Sequence, residues 1–379
     1  MPAASAFDIR VHHQLPPTWP TAAGTGEAQC YVFQTREFVQ AWLAAFGSDR
    51  SLTPLFVEIR EKNGVLLMLL PLCLERRGGL TTLSFLDQGV ADYNSAIMFP
   101  AATAHPALSG RDFWDALFAA LPAFDIVTFD KLPEMVGPLP NPAFSLANTS
   151  SEAAAHGSTI AGDWPAVEAA NFQSPKEMRK KQRQLERVGA VELVVADTPQ
   201  LRERLLERLV AQKQRRYEET RVAGFDEHPE QLDFLRQATT IFAASGQLML
   251  CGLTVGDTIT AVQWSLTLNG RLYALVTGYE TGEWHKYSCG RVLNYLLLRW
   301  LFDRGFSYFD MGVGDEAYKL ENATTTVPLA RAVILRTARG RVIETGRNVV
   351  SRLKATPAGE RVRQLRWTLA RALRKSRAG

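Results

Sequence analysis

The sequence predicts an α+β fold of two lobes built on one plan, each a mixed, mostly antiparallel sheet flanked by helices, with a basic helical tail after them. Three observations carry this. The order helix, strand meander, polar loop, helix, strand occurs twice, once between Thr35 and Asp130 and again between Gln200 and Met311. Glycine-containing turns, at Asn63-Gly64, Val255-Gly-Asp257 and Asn269-Gly270, separate neighbouring apolar runs in both copies, which makes the pairing local and antiparallel. At 379 residues, with 46% hydrophobic and 22% charged, the chain has the size and composition of two ordinary globular domains.

Taken in order, residues 1–29 carry four prolines and little periodicity, and read as a loose lead-in. A helix from Thr35 to Phe46 presents Phe38, Trp42 and Phe46 on one side. Strands Pro54–Arg60 and Val65–Arg76 meet across Glu61-Lys-Asn-Gly64, and a third strand runs from Leu80 to Leu86. Helix Arg111–Leu121 and strand Asp125–Asp130 complete the first copy, with a short piece, Ser158–Ala161, expected to close its sheet. Proline and small polar residues between Pro133 and Asn148 mark a crossing between lobes. Ser174-Pro-Lys-Glu177 is a capping-box start, and the helix it opens is strongly basic. Strand Val191–Ala196 and helices Gln200–Glu219 and Glu230–Ala244 lead into the second meander, Gln247–Thr254, Thr258–Leu268 and Arg271–Tyr279. The expected domains are therefore 30–161 and 162–338, followed by a tail over 339–379 in which arginines interleave with Val362, Leu365, Trp367, Leu369 and Leu373. That pattern fits an amphipathic helix resting on an anionic membrane or on a partner protein. Nucleic acid is the weaker reading, because no known reading module accompanies the charge.

Composition excludes several classes. The four cysteines lie far apart, with no CxxC and no neighbouring histidine, so neither a metal site nor a disulfide framework is expected. The N-terminus lacks the basic and apolar regions of a signal peptide, and Val65 to Leu74 is too short to span a bilayer. A cytoplasmic location is expected, with peripheral contact to the inner face of the membrane through the tail.

Chemistry concentrates between Arg271 and Lys319. After strand Arg271–Tyr279 comes a polar loop, Glu280 to Gly290, then a helix to Arg304 that buries Leu293, Leu297 and Leu301 at helical spacing. Strand Phe306–Met311 follows and leaves through Gly312-Val-Gly-Asp-Glu-Ala-Tyr-Lys319. A helix opening on Ser288-Cys-Gly-Arg291 aims free N–H groups and a positive dipole end at its surroundings, and glycine lets an anion come close. The same residues equally serve as a plain helix cap. Gly312 and Gly314 are equally turn residues, Asp310 a loop-bonding carboxylate, and the Lys176 to Arg187 face a solvated surface.

Three pieces carry a family resemblance: the basic helix Ser174 to Gly189, Tyr287-Ser-Cys-Gly-Arg-Val-Leu293, and Phe309-Asp-Met-Gly-Val-Gly-Asp-Glu-Ala-Tyr-Lys319. With these, the second half resembles the GNAT (Gcn5-related N-acetyltransferase) fold and, more narrowly, the CelD/BcsL (BioF2-like) cellulose-biosynthesis acetyltransferases. Gly89-Val-Ala-Asp-Tyr-Asn94 in the first half is also similar to that group. The resemblance spans about 31–338 and implies tandem GNAT-like lobes, an arrangement shared with the Fem peptidyltransferases. The strict pyrophosphate loop, Gln/Arg-x-x-Gly-x-Gly/Ala, is absent, and Gly290 and Arg291 stand in for it. What the resemblance implies is acyl transfer from acyl-CoA, most simply acetyl-CoA, to an amine or hydroxyl on a polysaccharide or envelope precursor, with no metal. The implied donor-binding residues are Ser288, Gly290, Arg291, Thr277 and Gly278. Asp310, Asp315 and Tyr318 are the implied catalytic groups, with Glu283 and His285 as lesser alternatives. Lys176, Arg179, Arg183, Trp264, Lys319, Asp92 and Tyr93 are the implied acceptor-side residues. The alternatives are a Fem-like aminoacyl-tRNA-dependent transferase and a non-catalytic assembly partner.

Overall fold

The computed structural model describes residues 7–344. The tail expected over 339–379 therefore lies outside the described residues, except for a helix that begins at 338.

In the first half come β1 (Phe7–His12), α1 (Arg36–Phe46), β2 (Leu52–Glu61), β3 (Leu66–Arg77), β4 (Leu80–Phe85), β5 (Ile97–Met98), α2 (Arg111–Ala120) and β6 (Ile126–Pro133). Four short strands follow: β7 (Met135–Val136), β8 (Leu139–Pro140), β9 (Thr149–Ser150) and β10 (Ala155–Thr159). The second half holds α3 (Trp164–Asn171), α4 (Pro175–Glu186), β11 (Val191–Val195), α5 (Pro199–Thr220), α6 (Pro229–Ala244), β12 (Leu248–Val255), β13 (Thr258–Leu268) and β14 (Arg271–Tyr279). It ends with α7 (Cys289–Asp303), β15 (Tyr308–Val313), α8 (Ala317–Asn322), β16 (Thr325–Val327) and β17 (Leu329–Leu335).

The described strands form two large sheets of matching order, β1-β2-β3-β4-β6-β17-β9, with β5 paired to β3, and β11-β12-β13-β14-β15-β10-β16, while β7 and β8 pair with each other. In each large sheet, the central crossover is the one parallel pairing among the described residues, β4 with β6 and β14 with β15. The helix between those strands, α2 or α7, supplies the long connection that parallel strands require. The Asn269-Gly270 turn has positive φ at both residues, 49° and 73°, which is the twist that a two-residue hairpin needs.

Three expectations are corrected. The lead-in is not loose: Phe7–His12 pairs with β2, and Trp19 is buried with its indole N–H donating to the Gln34 carbonyl at 2.7 Å. The strand expected at Ser158–Ala161 lies at Ala155–Thr159 and joins the second sheet beside β15, not the first. In exchange β17, from the end of the second half, enters the first sheet between β6 and β9. The sheets therefore trade strands, and sequence halves do not coincide with sheets.

Packing follows from this exchange. One core joins sheet one to α2, and another joins sheet two to α3, α4 and α7. The third lies between the lobes: Phe38 and Phe46 of α1 meet Phe234 of α6, with ring centroids 5.1 and 6.3 Å apart. Burial of these large rings on both sides fixes one lobe against the other, because apolar surface removed from water is the main stabilising term. That fixed relation brings the loop after β4 onto the end of β15.

Candidate active site between the lobes

β14 and β15 pair from Arg271↔Tyr308 to Tyr273↔Asp310, yet β14 continues to Tyr279. Leu275 is an extra residue in the β13–β14 register, a bulge that bends the strand where the pairing with β15 ends. Beyond the split lies a cavity of about 290 Å³ lined by Thr277, Tyr279, Ser288, Gly290, Arg291 and Tyr318, among others. Ser288, at the start of α7, is left-handed (φ 56°), and no side chain caps the helix there. Gly290 packs under the Tyr279 ring, where an added methyl would come within 3.2 Å of it. Arg291 pairs with Glu321 at 3.5 Å.

On the other side of β15, the loop Asp87–Asn94 comes across from the first lobe. Asp87 anchors it: its carboxylate accepts from the N–H groups of Gly89 and Ala91, from Asn94 Nδ2 and from Lys131 Nζ. Two non-glycine residues here, Gln88 (φ 46°) and Lys131 (φ 53°), hold left-handed backbone, a strain tolerated where surrounding structure fixes it. The loop places Tyr93 and Asp92 against β15. Tyr93 Oη donates to Asp310 Oδ2 at 2.9 Å. Asp92 fills the space above Gly312 (φ 77°), where any β-carbon would come within 2.5 Å of Asp92 Oδ2. Glycine is required there twice over, by conformation and by contact.

Asp310 is buried and fully engaged. It accepts from Tyr93, from Arg271 Nε at 3.1 Å and a second guanidinium nitrogen, and from the Gly312 N–H at 2.8 Å. Arg271 sits in turn among four tyrosine rings, Tyr31, Tyr93, Tyr273 and Tyr308, with centroids 4.3 to 5.5 Å away. Burial works against its charge, but the adjacent Asp310 carboxylate holds the guanidinium above its ordinary pKa. The expected catalytic carboxylate is thus the centre of an inter-lobe clamp, with three donors on Oδ2 and the Gly312 N–H on Oδ1. Asp92 is the carboxyl left poised. Burial, then the like charge of Asp310, pushes its pKa up to about 7, against partial relief from Lys131 and Lys319. Burial also raises Tyr318 well above the usual phenol value, aided by Glu316, Tyr279 and Asp92, so Tyr318 keeps its proton at neutral pH.

The other expected residues separate into those near the cavity and those with structural duties. Asp315 is bound to His156 Nε2 at 2.8 Å, and the opposite ring nitrogen meets Thr326 Oγ1 at 3.1 Å; this lowers the Asp315 pKa and ties the loop to β10. Lys319 is buried, its amine donating to the Val313 carbonyl at 2.8 Å and pairing with Glu316 at 3.0 Å, so it braces the turn that presents Tyr318. Trp264 lies in the inter-lobe core and donates to Thr239. Gly278 faces α5, where an added β-carbon would meet Gln212 and Leu209 within 3.0 Å, and not the cavity. Arg179 pairs with Glu168, while Lys176 and Arg183 are exposed on α4. That helix reaches the cavity rim through Lys181, which donates to the Lys286 carbonyl. His285 lines the cavity, and Glu283 is exposed outside the lining set. Sequence reasoning missed Arg271, whose one signal is a charged residue opening an apolar strand, and Lys131, Asp87 and His156, which carry no local signal.

No group of three or more His, Cys, Asp or Glu residues is placed to hold a metal among the described residues. Nor is any described helix long and apolar enough to cross a membrane.

Residues 173–320 match the family model of the acetyltransferase (GNAT) domain. No curated protein matches the chain. Among solved structures, FemX superposes with a TM-score of 0.55 at 9% identity, over 84% of this chain and 96% of that one. Looser matches include a tandem GNAT protein from the clavulanic acid biosynthesis pathway (TM-score 0.44, 10% identity, covering 87% and 100%). L-PGS from Bacillus licheniformis is another (TM-score 0.46, 12% identity, covering 82% and 96%). The architecture is a tandem pair of GNAT-like lobes.

Proposed function

We propose that the protein transfers an acyl group from a coenzyme A thioester, held by the second lobe, to an amine or hydroxyl in the cleft between the lobes. The observation that carries this reading is the cavity at the β14–β15 split, closed on one side by the uncapped start of α7 and on another by Tyr318. Free N–H groups and the dipole of α7 suit a diphosphate, and Gly290 lets it approach the backbone. The unpaired edge of β14 beyond Tyr273 offers N–H groups to a thioester carbonyl as charge builds on its oxygen. A thioester is already activated, so the remaining demands are positioning and proton transfer.

Asp92 takes the proton from the attacking amine or hydroxyl, since a carboxyl near pKa 7 is both available and basic at neutral pH. As the C–S bond breaks, Tyr318 gives its proton to the departing thiolate. The proton on Asp92 then restores Tyr318, and Asp92 is close enough to raise the Tyr318 pKa. Asp310 and Arg271 act by holding Tyr93, and hence the Asp92 loop, in place.

The acetyl group, a saccharide or envelope-precursor acceptor, and tail contact with an anionic membrane or partner protein belong to this proposal; they rest on the sequence resemblance and the charge pattern. The exposed basic face of α4 beside the cavity rim favours one second reading, a polyanionic donor such as an aminoacyl-tRNA. Steeply salt-dependent binding of tRNA would distinguish it.

The test is calorimetric titration of coenzyme A into the full chain and into Gly290→Glu. Binding to the wild type, weakened about a hundredfold or more by a carboxylate facing the diphosphate, is expected. Unaltered affinity in the variant places the donor elsewhere.

A further inference from the structure

Beside the donor cavity is a second, much smaller one, and Asn294 and Tyr318 line both, so the two share a wall. Phe309 and Met311 of β15 and Leu298 of α7 make part of its lining apolar. Asn171 from the end of α3, Asn294 from α7 and Asn322 from the end of α8 make the rest polar. Asn171 and Asn322 are buried, at 1% and 6% exposure. Each spends its NH₂ group on a carbonyl one helical turn back, Asn171 on Val167 at 2.8 Å and Asn322 on Tyr318 at 2.6 Å. Their carbonyl oxygens, and that of Asn294, are buried and make no hydrogen bond among the described residues.

Three unpartnered acceptors from three helices around one recess are unusual, because a buried polar atom without a partner bears its full desolvation cost. The recess offers about 10 Å³ to the centre of a water-sized sphere, room for one group of that size. The missing partner must donate and need not accept. A water brings two donors to three acceptors, whereas a primary ammonium brings three. The apolar walls suit the carbon chain that would carry it.

We propose that this recess is the acyl-end subsite and takes the primary amine of an amino-acyl thioester, an inference that rests on the donor site assigned above and puts an amino-acyl group in place of the acetyl group that the sequence resemblance suggests. A methyl-ended acyl group leaves the three oxygens unpaired, and a site built for a hydrogen-bonding group discriminates strongly against the analogue that lacks it.

The experiment is calorimetry on the full chain with free coenzyme A and with two isosteric pairs, glycyl-CoA against propionyl-CoA and β-alanyl-CoA against butyryl-CoA. In at least one pair the amine-bearing thioester binds about tenfold or more tightly than its methyl isostere. Asn171→Leu and Asn322→Leu each bring that pair to within about twofold, while free coenzyme A binds as to the wild type, which also reports that the variant is folded. Equal affinities within both pairs in the wild type, or a preference that survives both substitutions, overturn the proposal and leave the recess to a water, with the donor site intact. Failure of free coenzyme A to bind the wild type removes the donor site and this inference together.

Discussion

The two lobes share a strand order, yet they differ at the point where the parallel pair splits. In the first lobe, the described pairing of β4 with β6 ends at Leu83↔Val127. Just beyond, Phe85 and Phe129 close the gap, ring to ring with centroids 4.7 Å apart, and Trp114 of α2 packs on Phe129 at 6.0 Å. In the second lobe the corresponding stretch is Leu275 and Gly312, with no ring to close it. Asp92 from the first lobe occupies the space above Gly312, and the donor cavity lies farther along. One fold thus gives a packed core where aromatics fill the split and a site where glycine leaves it open. The first lobe has no open split of its own at this point and instead lends Asp92 and Tyr93 to its neighbour.

The largest expected effect comes from removing the lent carboxyl. Asp92→Asn lowers kcat about 10²- to 10⁴-fold with donor affinity unchanged, measured by thiol release and calorimetry. The same variant reads out the strain of burying that group. Because Asp92 ionises at about 7 in the folded chain against an ordinary 3.8, its charging erodes stability as pH rises between those values, and the loss persists above them. The variant therefore melts higher than wild type at pH 8 and loses that advantage at pH 4.

Opening the first lobe's split is the next largest change. Phe129→Ala costs about 3–5 kcal/mol in denaturant unfolding and leaves coenzyme A affinity as it was, because the residues that line the donor cavity all belong to the second lobe. Donor binding created by that substitution would mean the lobes differ less than their packing indicates. Tyr318→Phe lowers kcat by about a hundredfold, the low end for a lost proton donor, with donor affinity kept. Tyr93→Phe costs about 1–3 kcal/mol of stability by leaving a buried Asp310 oxygen one donor short, and it lowers kcat through displacement of the Asp92 loop. Arg183→Ala, on the exposed face of α4, changes stability by less than about 0.5 kcal/mol.

What the sequence disclosed follows the range of each interaction. The β12–β13–β14 meander was legible because its turns are local and Asn269-Gly270 accepts the needed backbone. The exchange of β10 and β17 was not: each pairs with strands about 150 residues or more away, and nothing in Ala155–Thr159 or Leu329–Leu335 names its partner. Phe7–His12 does alternate, and the prolines that follow it hid a strand behind the look of a lead-in. At the site, the glycines, Tyr318 and the start of α7 stood out by residue type. The division of labour between Asp310 and Asp92 did not, since it depends on Arg271 and Tyr93 reaching the first carboxylate, while the second feels Lys131 and Lys319 only as partial relief.

The account turns on the first lobe supplying the base for chemistry on the second lobe's donor. The direct measurement is the pH dependence of thiol release from a saturating coenzyme A thioester, with water as the acyl acceptor, in wild type and in Asp92→Asn. The account predicts a rate that climbs with pH through a midpoint near 7 in the wild type, the value set by burial of Asp92, and a flat, much slower profile in the variant. The same climb at the same midpoint in Asp92→Asn contradicts it.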